Sequence, residues 1–557
     1  MWNGKQTAFI LVIFLMAGHG LCGKIIYPWR ATTAIVKAGE SFTVFFDAES
    51  GESIDSVVLV GPYNRITQSS LNIETGDFVY DALTSAAYNT QITVPVEASA
   101  PSELYTLILY TTKGEQFSKS AVKVVKAYKT SYTIMHMSDT HISRHKKNGY
   151  AQELEWFTNL VDIANIIGPD LVFITGDCSN ELTENGDFSA EERWDFVYNG
   201  HENLQGFHGI HSPVFTLPGN HDYYKTSNGA AYWNTHNGIR MHHFTFGESR
   251  YMVLDNSQGD DLAAQLSHHQ SWLDSVGPGS FRGMAEHKTD RVDHDFLDNN
   301  NVQLIMEGHT HLVWQMPDQS STGFRGTTPT LYSIPGSASN ITSATGRDNI
   351  GWFRLLYVNG ASVDTITRLQ YADNTEEDPS QHNVKLRIEY SGDGEGNQTG
   401  NQASIINEFD QEFPNCLVRF VLPKGNYDVS AGTIEQVIQN DTVTVLDVRM
   451  DIQANSTVQC SVSVSDVQSV SDQSGVPESF TLFSFKGEIV SIPGSVGARE
   501  PVSIFDINGT LIKRIKKSGE YLTWDLTNKY NNQVQEGLYV IMPFKKKLYV
   551  TADDVVF

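Results

Sequence analysis

Four apolar runs in the middle of the chain, SYTIMHMSD, PDLVFITGD, SPVFTLPGN and NVQLIMEGH, each end in polar residues of types that bind metal. Runs this short and this uniformly apolar lack the alternation of a half-exposed strand and read as buried strands. Helical periodicity lies between them. In GYAQELEWFTNLVDIANIIG, Leu154, Phe157, Val161 and Ala164 share one face, and Gly168 supplies a stop just before Pro169. Strands interleaved with helices predict an α/β domain over 128–370, with a sheet covered on both faces.

The texture on either side differs. Residues 24–127 run in short alternating stretches (SFTVFFDA, DSVVLVGPY, TQITVPV, LYTLILYTT, SAVKVVKAY) separated by Gly, Ser, Asn and Pro, which predicts a β-sandwich. Alternation returns after residue 371 in NVKLRIEY, with Val384, Leu386, Ile388 and Tyr390 on one side, and in TVTVLDVRMDI. SGDGEGNQTGNQ at 391–402 reads as an exposed loop, and the Ser/Asp-rich passage at 463–478 as a linker. These features predict a β-rich domain over 371–477 and a small β module over 478–557, where Asn508 and Gly509 between alternating runs signal a hairpin.

Residues 1–23 carry Lys5, an apolar run from Ala8 to Ala17 and small residues from Gly18 to Gly23, the pattern of a secretory signal peptide. Leu21 stands where a lipobox needs a small residue before Cys22, which disfavours a lipid anchor. The expectation is a secreted or cell-surface protein, extracellular or periplasmic. In an oxidising compartment Cys416 and Cys460 could form a disulfide or remain buried thiols. Asn340, Asn397, Asn440, Asn455 and Asn508 begin NxS/T sequons, glycan acceptors in a eukaryotic secretory route. With 39 Lys+Arg against 65 Asp+Glu the net charge is −26, so no stable nucleic-acid complex is expected, because phosphate binding depends on cationic neutralisation.

The chemistry sits at the strand ends: Asp139 and His141, then Asp177, then Asn220 and His221, then His309 and His311. In an open α/β sheet, ligands bind outside the carboxyl ends of the strands, so the four sets would meet in one crevice. Carboxylate, imidazole and amide oxygen without paired thiols favour divalent Zn, Fe or Mn over Ca or a structural zinc site. Asp177 is the natural bridge between two ions about 3.5–4 Å apart, an arrangement that activates water and stabilises in-line phosphoryl displacement.

DTH, GD, GNHD and GHTH, in that order at successive strand ends, resemble the calcineurin-like metallophosphoesterase superfamily over about 128–320, with weaker texture to about 370, and the resemblance implies a central α/β sandwich in a multidomain chain. The resemblance implies that Asp139, His141 and His311 bind one ion, that Asn220 and His309 bind the other, and that Asp177 bridges them. It implies further that His221 protonates the leaving group or stabilises the phosphoryl oxygens. The family places another metal-binding His between GNHD and GHxH. His287 is the first candidate, because it leaves 288–301 for a crossover helix; His294 leaves only 295–301, and a third reading is that neither binds. Purple acid phosphatases, of the same fold family, use a tyrosinate three residues after the GD aspartate. Asn180 stands there, so with His141 the resemblance points to the branch of bacterial and secreted phosphodiesterases and phosphatases.

The implied function is hydrolysis of a phosphate-ester substrate, monoester or diester, by metal-activated water with His221 as proton donor. A secreted adhesion or carbohydrate-binding protein with a degenerate phosphoesterase core is the alternative, and a nuclease a third reading. Cys178 reads as a packed thiol rather than a nucleophile. Tyr223, Tyr224 and Trp233 could wall a substrate or simply pack. The N-terminal region resembles Ig or fibronectin-like modules, and the C-terminal one is similar to Ig-like modules of the flagellar-hook-cap and secretion-tail type. Both suit spacing or attachment to a cell surface or glycan.

Overall fold

Three of the four apolar runs form neighbouring parallel strands: Val214–Leu217 pairs with Leu171–Thr175, which pairs with Ser131–Met137. This computed structural model describes residues 22–465 except 31, 181–187, 224–228, 258–261, 278, 289–293, 312, 317–330, 336–337, 339–350, 371–383 and 393–397; beyond 465 it describes only strands between 490 and 556. Residues 1–21 of the predicted signal peptide, Tyr224, three of the sequons (Asn340, Asn397, Asn508) and most of the predicted linker therefore lie outside the described residues.

Two antiparallel strands, Trp352–Asn359 and Ser362–Gln370, complete the first central sheet. The fourth run, Leu304–Met306, belongs to a second sheet in the order His242–Phe246, Ser249–Val253, Phe281–Ala285, Leu304–Met306, Leu331–Pro335, Val313–Met316. The central domain therefore holds two sheets. Inward side chains of both, including Ile134, Phe173 and Leu217 from the first and Tyr251, Phe281 and Leu304 from the second, share one core. Continuous apolar runs arise because each strand has one face on the opposite sheet and the other under helices.

Helix Glu153–Ile167 covers the first sheet. Leu154, Phe157, Val161 and Ala164 are fully buried, and Gly168, at φ +58°, ends the helix with its amide on Ala164 O. The same helix packs on strands that follow the central sheets: Leu386–Ser391, Gln402–Asn407, Ser456–Val464 and Tyr427–Val429 in one sheet, Phe413–Pro423, Val443–Ile452 and Thr433–Gln439 in another. Leu386, Ile405, Val418 and Phe420 join Leu154 and Phe157 in one continuous core. The predicted loop at 391–402 joins two paired strands, with Ser391 opposite Gln402. Cys416 and Cys460 are free buried thiols, which corrects the disulfide option. They stand on different sheets, Sγ of Cys416 on Phe413 O and Sγ of Cys460 on Ala431 O.

Residues 24–125 form two sheets, Lys24–Tyr27, Ser41–Asp47, Ala86–Pro95, Asn72–Asp81 and Ala34–Lys37, Gly114–Val125, Leu104–Thr111, Ile54–Val60, Arg65–Gln68, around a shared core that includes Val44, Ile92, Leu107 and Val122. They are stitched to the central domain through Thr33 Oγ1 on Val214 O (3.3 Å). Everything to Ser465 is one compact unit, and Asp466–Phe557 is a second. In the second, Val502–Asp506 and Leu511–Ile515 pair antiparallel on either side of the Asn508–Gly509 turn, which itself lies outside the described residues. Among the described residues, no helix is long and apolar enough to cross a membrane.

Candidate metal centre

Parallel pairing places the carboxyl ends of the first sheet's strands on one edge, and the turns there are bonded to one another. Asp139 N donates to Gly176 O (3.1 Å) and His141 N to Asp177 O (2.9 Å). His309 N donates to Asp139 Oδ2 (3.0 Å) and His221 N to Asp177 Oδ1 (2.8 Å). These turns hold Asp139, His141, Asp177, His309 and His311 at φ +54°, +46°, +47°, +69° and +54°. Non-glycine residues seldom occupy that left-handed region, and each instance costs on the order of 1 kcal/mol or more. Five such residues, three after strands of the first sheet and two after Leu304–Met306 of the second, mark a site whose geometry the surrounding bonds enforce.

The side chains converge in two groups that share Asp177. Ligand atoms of Asp139, His141, Asp177 and His311 lie within 4.8 Å of one another, as do those of Asp177, His287 and His309. Within the first, His141 Nε2 is 3.1 Å from His311 Nε2 and 3.5 Å from Asp177 Oδ2, and His311 Nε2 is 3.2 Å from Asp139 Oδ1. In the second, His287 Nε2 is 3.3 Å from Asp177 Oδ2 and 3.3 Å from Asn220 Oδ1. Of the two histidines open in the sequence, His287 is therefore the one brought to the cluster; His294 opens helix His294–Asn299. The crossover to Leu304–Met306 runs through that helix, as the spacing requires.

Orientation is set one layer out. His287 Nδ1 donates to Thr175 O (2.8 Å), which can only accept, so Nε2 is the atom turned to the cluster. His141 Nδ1 meets Asn180 Oδ1 at 3.2 Å with the same consequence. Burial would raise the carboxyl pKa values, yet the imidazoles hold Asp139 and Asp177 below the usual carboxylate range. Burial pushes His141 down to about 3 against the pull of Asp177. For His287 burial acts in the same sense, but the Asp177 carboxylate wins and raises it to about 9. His311 is likewise raised by Asp139 despite burial. Two ionised carboxylates, four convergent imidazoles and an amide oxygen, buried and held in strained turns, fit two divalent first-row cations.

The family model of calcineurin-like phosphoesterases matches residues 132–313. This part of the chain belongs to that family. Two solved structures are similar to parts of the chain. A purple acid phosphatase from yellow lupin (Lupinus luteus) seeds is 14% identical, with a TM-score of 0.38 over 65% of this chain and 73% of that one. Vacuolar protein sorting 29 from Cryptosporidium parvum is 14% identical, with a TM-score of 0.21 over 43% and 98%. No curated protein matches the chain.

Other residues singled out in the sequence fall around the centre of the phosphoesterase domain. His221 is half-buried, its ring 4.7 Å from that of His141. Cys178 is fully buried with its thiol pKa pushed up by burial, and Tyr223 and Trp233 are packed in the interior rather than lining a substrate wall. Sequence reasoning passed over Asp222, whose carboxylate accepts from the amides of Gly219 (2.7 Å), Cys178 (3.2 Å) and Ser179 (2.8 Å), tying the GNHD turn to the GD turn. It also passed over Asp255, Asn256 and Ser257. Asn256 Oδ1 accepts from His287 N (3.1 Å), and Ser257 Oγ donates to Pro218 O (2.6 Å). The signal was present: RYMVLDNS is another apolar run that ends in polar residues.

Proposed function

We propose that the phosphoesterase domain is a metal-dependent phosphoric ester hydrolase, acting on phosphomonoesters or phosphodiesters outside the cytoplasm. The observation that carries this reading is the pair of ligand clusters sharing Asp177. Asp139, His141 and His311 would hold one divalent cation and Asn220, His287 and His309 the other, with Asp177 common to both. Bound there, the cations supply charge neutralisation for the phosphate and activation of water. The chain's own residues do the rest. Asn180 and Thr175 fix the histidine tautomers, and the left-handed turns fix the donor atoms. His221, held by its amide on Asp177 Oδ1 and half-buried, is the group placed to pass a proton to the departing oxygen. The flanking β regions would serve as spacers or attach the enzyme to a surface or glycan, and the N-terminal apolar stretch would direct export.

The test is metal content together with turnover of aryl phosphate monoesters and diesters, with Mn, Zn or Fe added back, for the native protein, Asn220→Ala and His221→Ala. Two ions per chain and hydrolysis are expected, with turnover lost in both variants and metal retained in His221→Ala. Unchanged rates in the variants would remove the catalytic assignment. Absence of both metal and turnover would favour an adhesive protein on a degenerate core.

A further inference from the structure

A buried chain of charges runs from the N-terminal sheets to the second ligand cluster. Asp81 closes strand Asn72–Asp81 and is fully buried. Its Oδ1 is used locally, accepting from the amides of Leu83 (3.0 Å) and Thr84 (3.3 Å). Its Oδ2 accepts from Asn234 Nδ2 (3.0 Å) and Arg240 Nε (2.8 Å), both in the phosphoesterase domain. Arg240 Nη1 donates to Asp255 Oδ2 (2.8 Å), and the same oxygen accepts from Tyr223 OH (2.5 Å). Tyr223 is the last residue of helix Asn220–Tyr223, whose first residue is the amide ligand. Beside Asp255, Asn256 holds the His287 backbone and Ser257 holds Pro218.

The route is selective. It ends on the turn that carries Asn220 and on His287, which belong to the second cluster alone. None of the bonds just named ends on Asp139, His141 or His311. An arginine clamped between two buried carboxylates has little freedom, because each pairing offsets the desolvation of the other, and loss of one partner leaves an uncompensated charge. We propose that Asp81 is a positioning residue for the second cation. Through Arg240, Asp255 and Tyr223, the N-terminal region holds the Asn220 turn at the distance that two-ion binding requires. The region first read as a spacer is thereby part of the active-site scaffold. This inference rests on the two-cation reading of the site but not on which ester is hydrolysed.

The experiment is calorimetric titration of the full-length, metal-stripped protein with Mn²⁺. Native protein should bind two ions. Asp81→Asn keeps the shape and an acceptor for Arg240 while removing the charge. Loss of a residue that orients ligands typically weakens metal binding about 10–100-fold, and that loss is expected for the second ion only. Tyr223→Phe should do the same, and the double variant should be no worse than either single one, since both break one chain. Lys24→Ala removes a different link between the same regions, Nζ to Thr235 O, and should leave both ions bound. The proposal is overturned if Asp81→Asn binds both ions as the native protein does, if it weakens both together, or if native protein takes up only one. A native protein that binds two ions but hydrolyses no ester would sink the hydrolase reading and leave this one standing.

Discussion

Gly219 lies against Asp177 where no side chain fits: a β-carbon on Gly219 would stand 2.1 Å from both Asp177 N and Asp177 Oδ1. One of those atoms is backbone and the other belongs to the carboxylate shared by both ligand clusters, so neither can move aside without displacing the centre. Gly219→Ala should therefore fold with the Asp177 carboxylate displaced and bind neither cation tightly. Metal analysis after gel filtration checks this; a variant holding two ions would show that the turn can absorb the methyl group.

Asn180 turns His141 toward the cluster. Asn180→Ala removes the acceptor for His141 Nδ1, and a loss of about 10–100-fold in affinity for the first cation is expected. Asn180→Asp preserves an acceptor and should keep most of the affinity. Competition against a chromogenic chelator reads both variants.

Acid should unfold the protein through buried neutral histidines. Among the described residues His242 has no hydrogen-bond partner on either ring nitrogen, and burial pushes it down to about 3; burial drives His269 well below its ordinary value too. Because these folded-state values lie below 6.5, the unfolded chain takes up protons first, so stability is complete above about pH 6.5 and falls as pH drops toward 3. At about 1.4 kcal/mol per pH unit, His242 alone would remove roughly 2 kcal/mol at pH 5, and His269 acts in the same direction. Urea unfolding at pH 7 and pH 5 measures it, and His242→Gln should reduce the difference by about the His242 share, roughly 2 kcal/mol.

Arg419 locks the N-terminal sheets to the strands after the central domain: its guanidinium meets Asp447 at 2.7 and 2.8 Å and Glu103 at 2.7 Å. Arg419→Ala leaves two buried carboxylates facing each other and should cost about 3–5 kcal/mol, whereas Glu103→Gln retains an acceptor and should cost far less. Thermal unfolding of the two variants gives the comparison.

The strand ends were readable because each apolar run stops at a ligand residue, and His287 could be favoured over His294 because a parallel crossover needs room for a helix. The assignment of each strand to its sheet was not readable. A strand buried between helices and one buried between a sheet and a helix have the same apolar texture, so RYMVLDNS and FRGMAEH carried no sign of which sheet they join. The turn conformations were equally hidden, since nothing in Asp139 or His311 as residue types announces a left-handed backbone imposed by neighbouring strands. Asp81 and Arg240 are 159 residues apart, and pairing over that distance leaves no trace in local pattern.

The core shared by helix Glu153–Ile167 and the strands from Leu386 onward bears on how the protein can be handled. A fragment trimmed at residue 370, where the domain pattern ends in the sequence, would lose Leu386, Ile405, Val418 and Phe420 from that core and leave the helix surface beneath them bare to water. Such a fragment should clump on expression, and the smallest piece that stays in solution should run on to about residue 465.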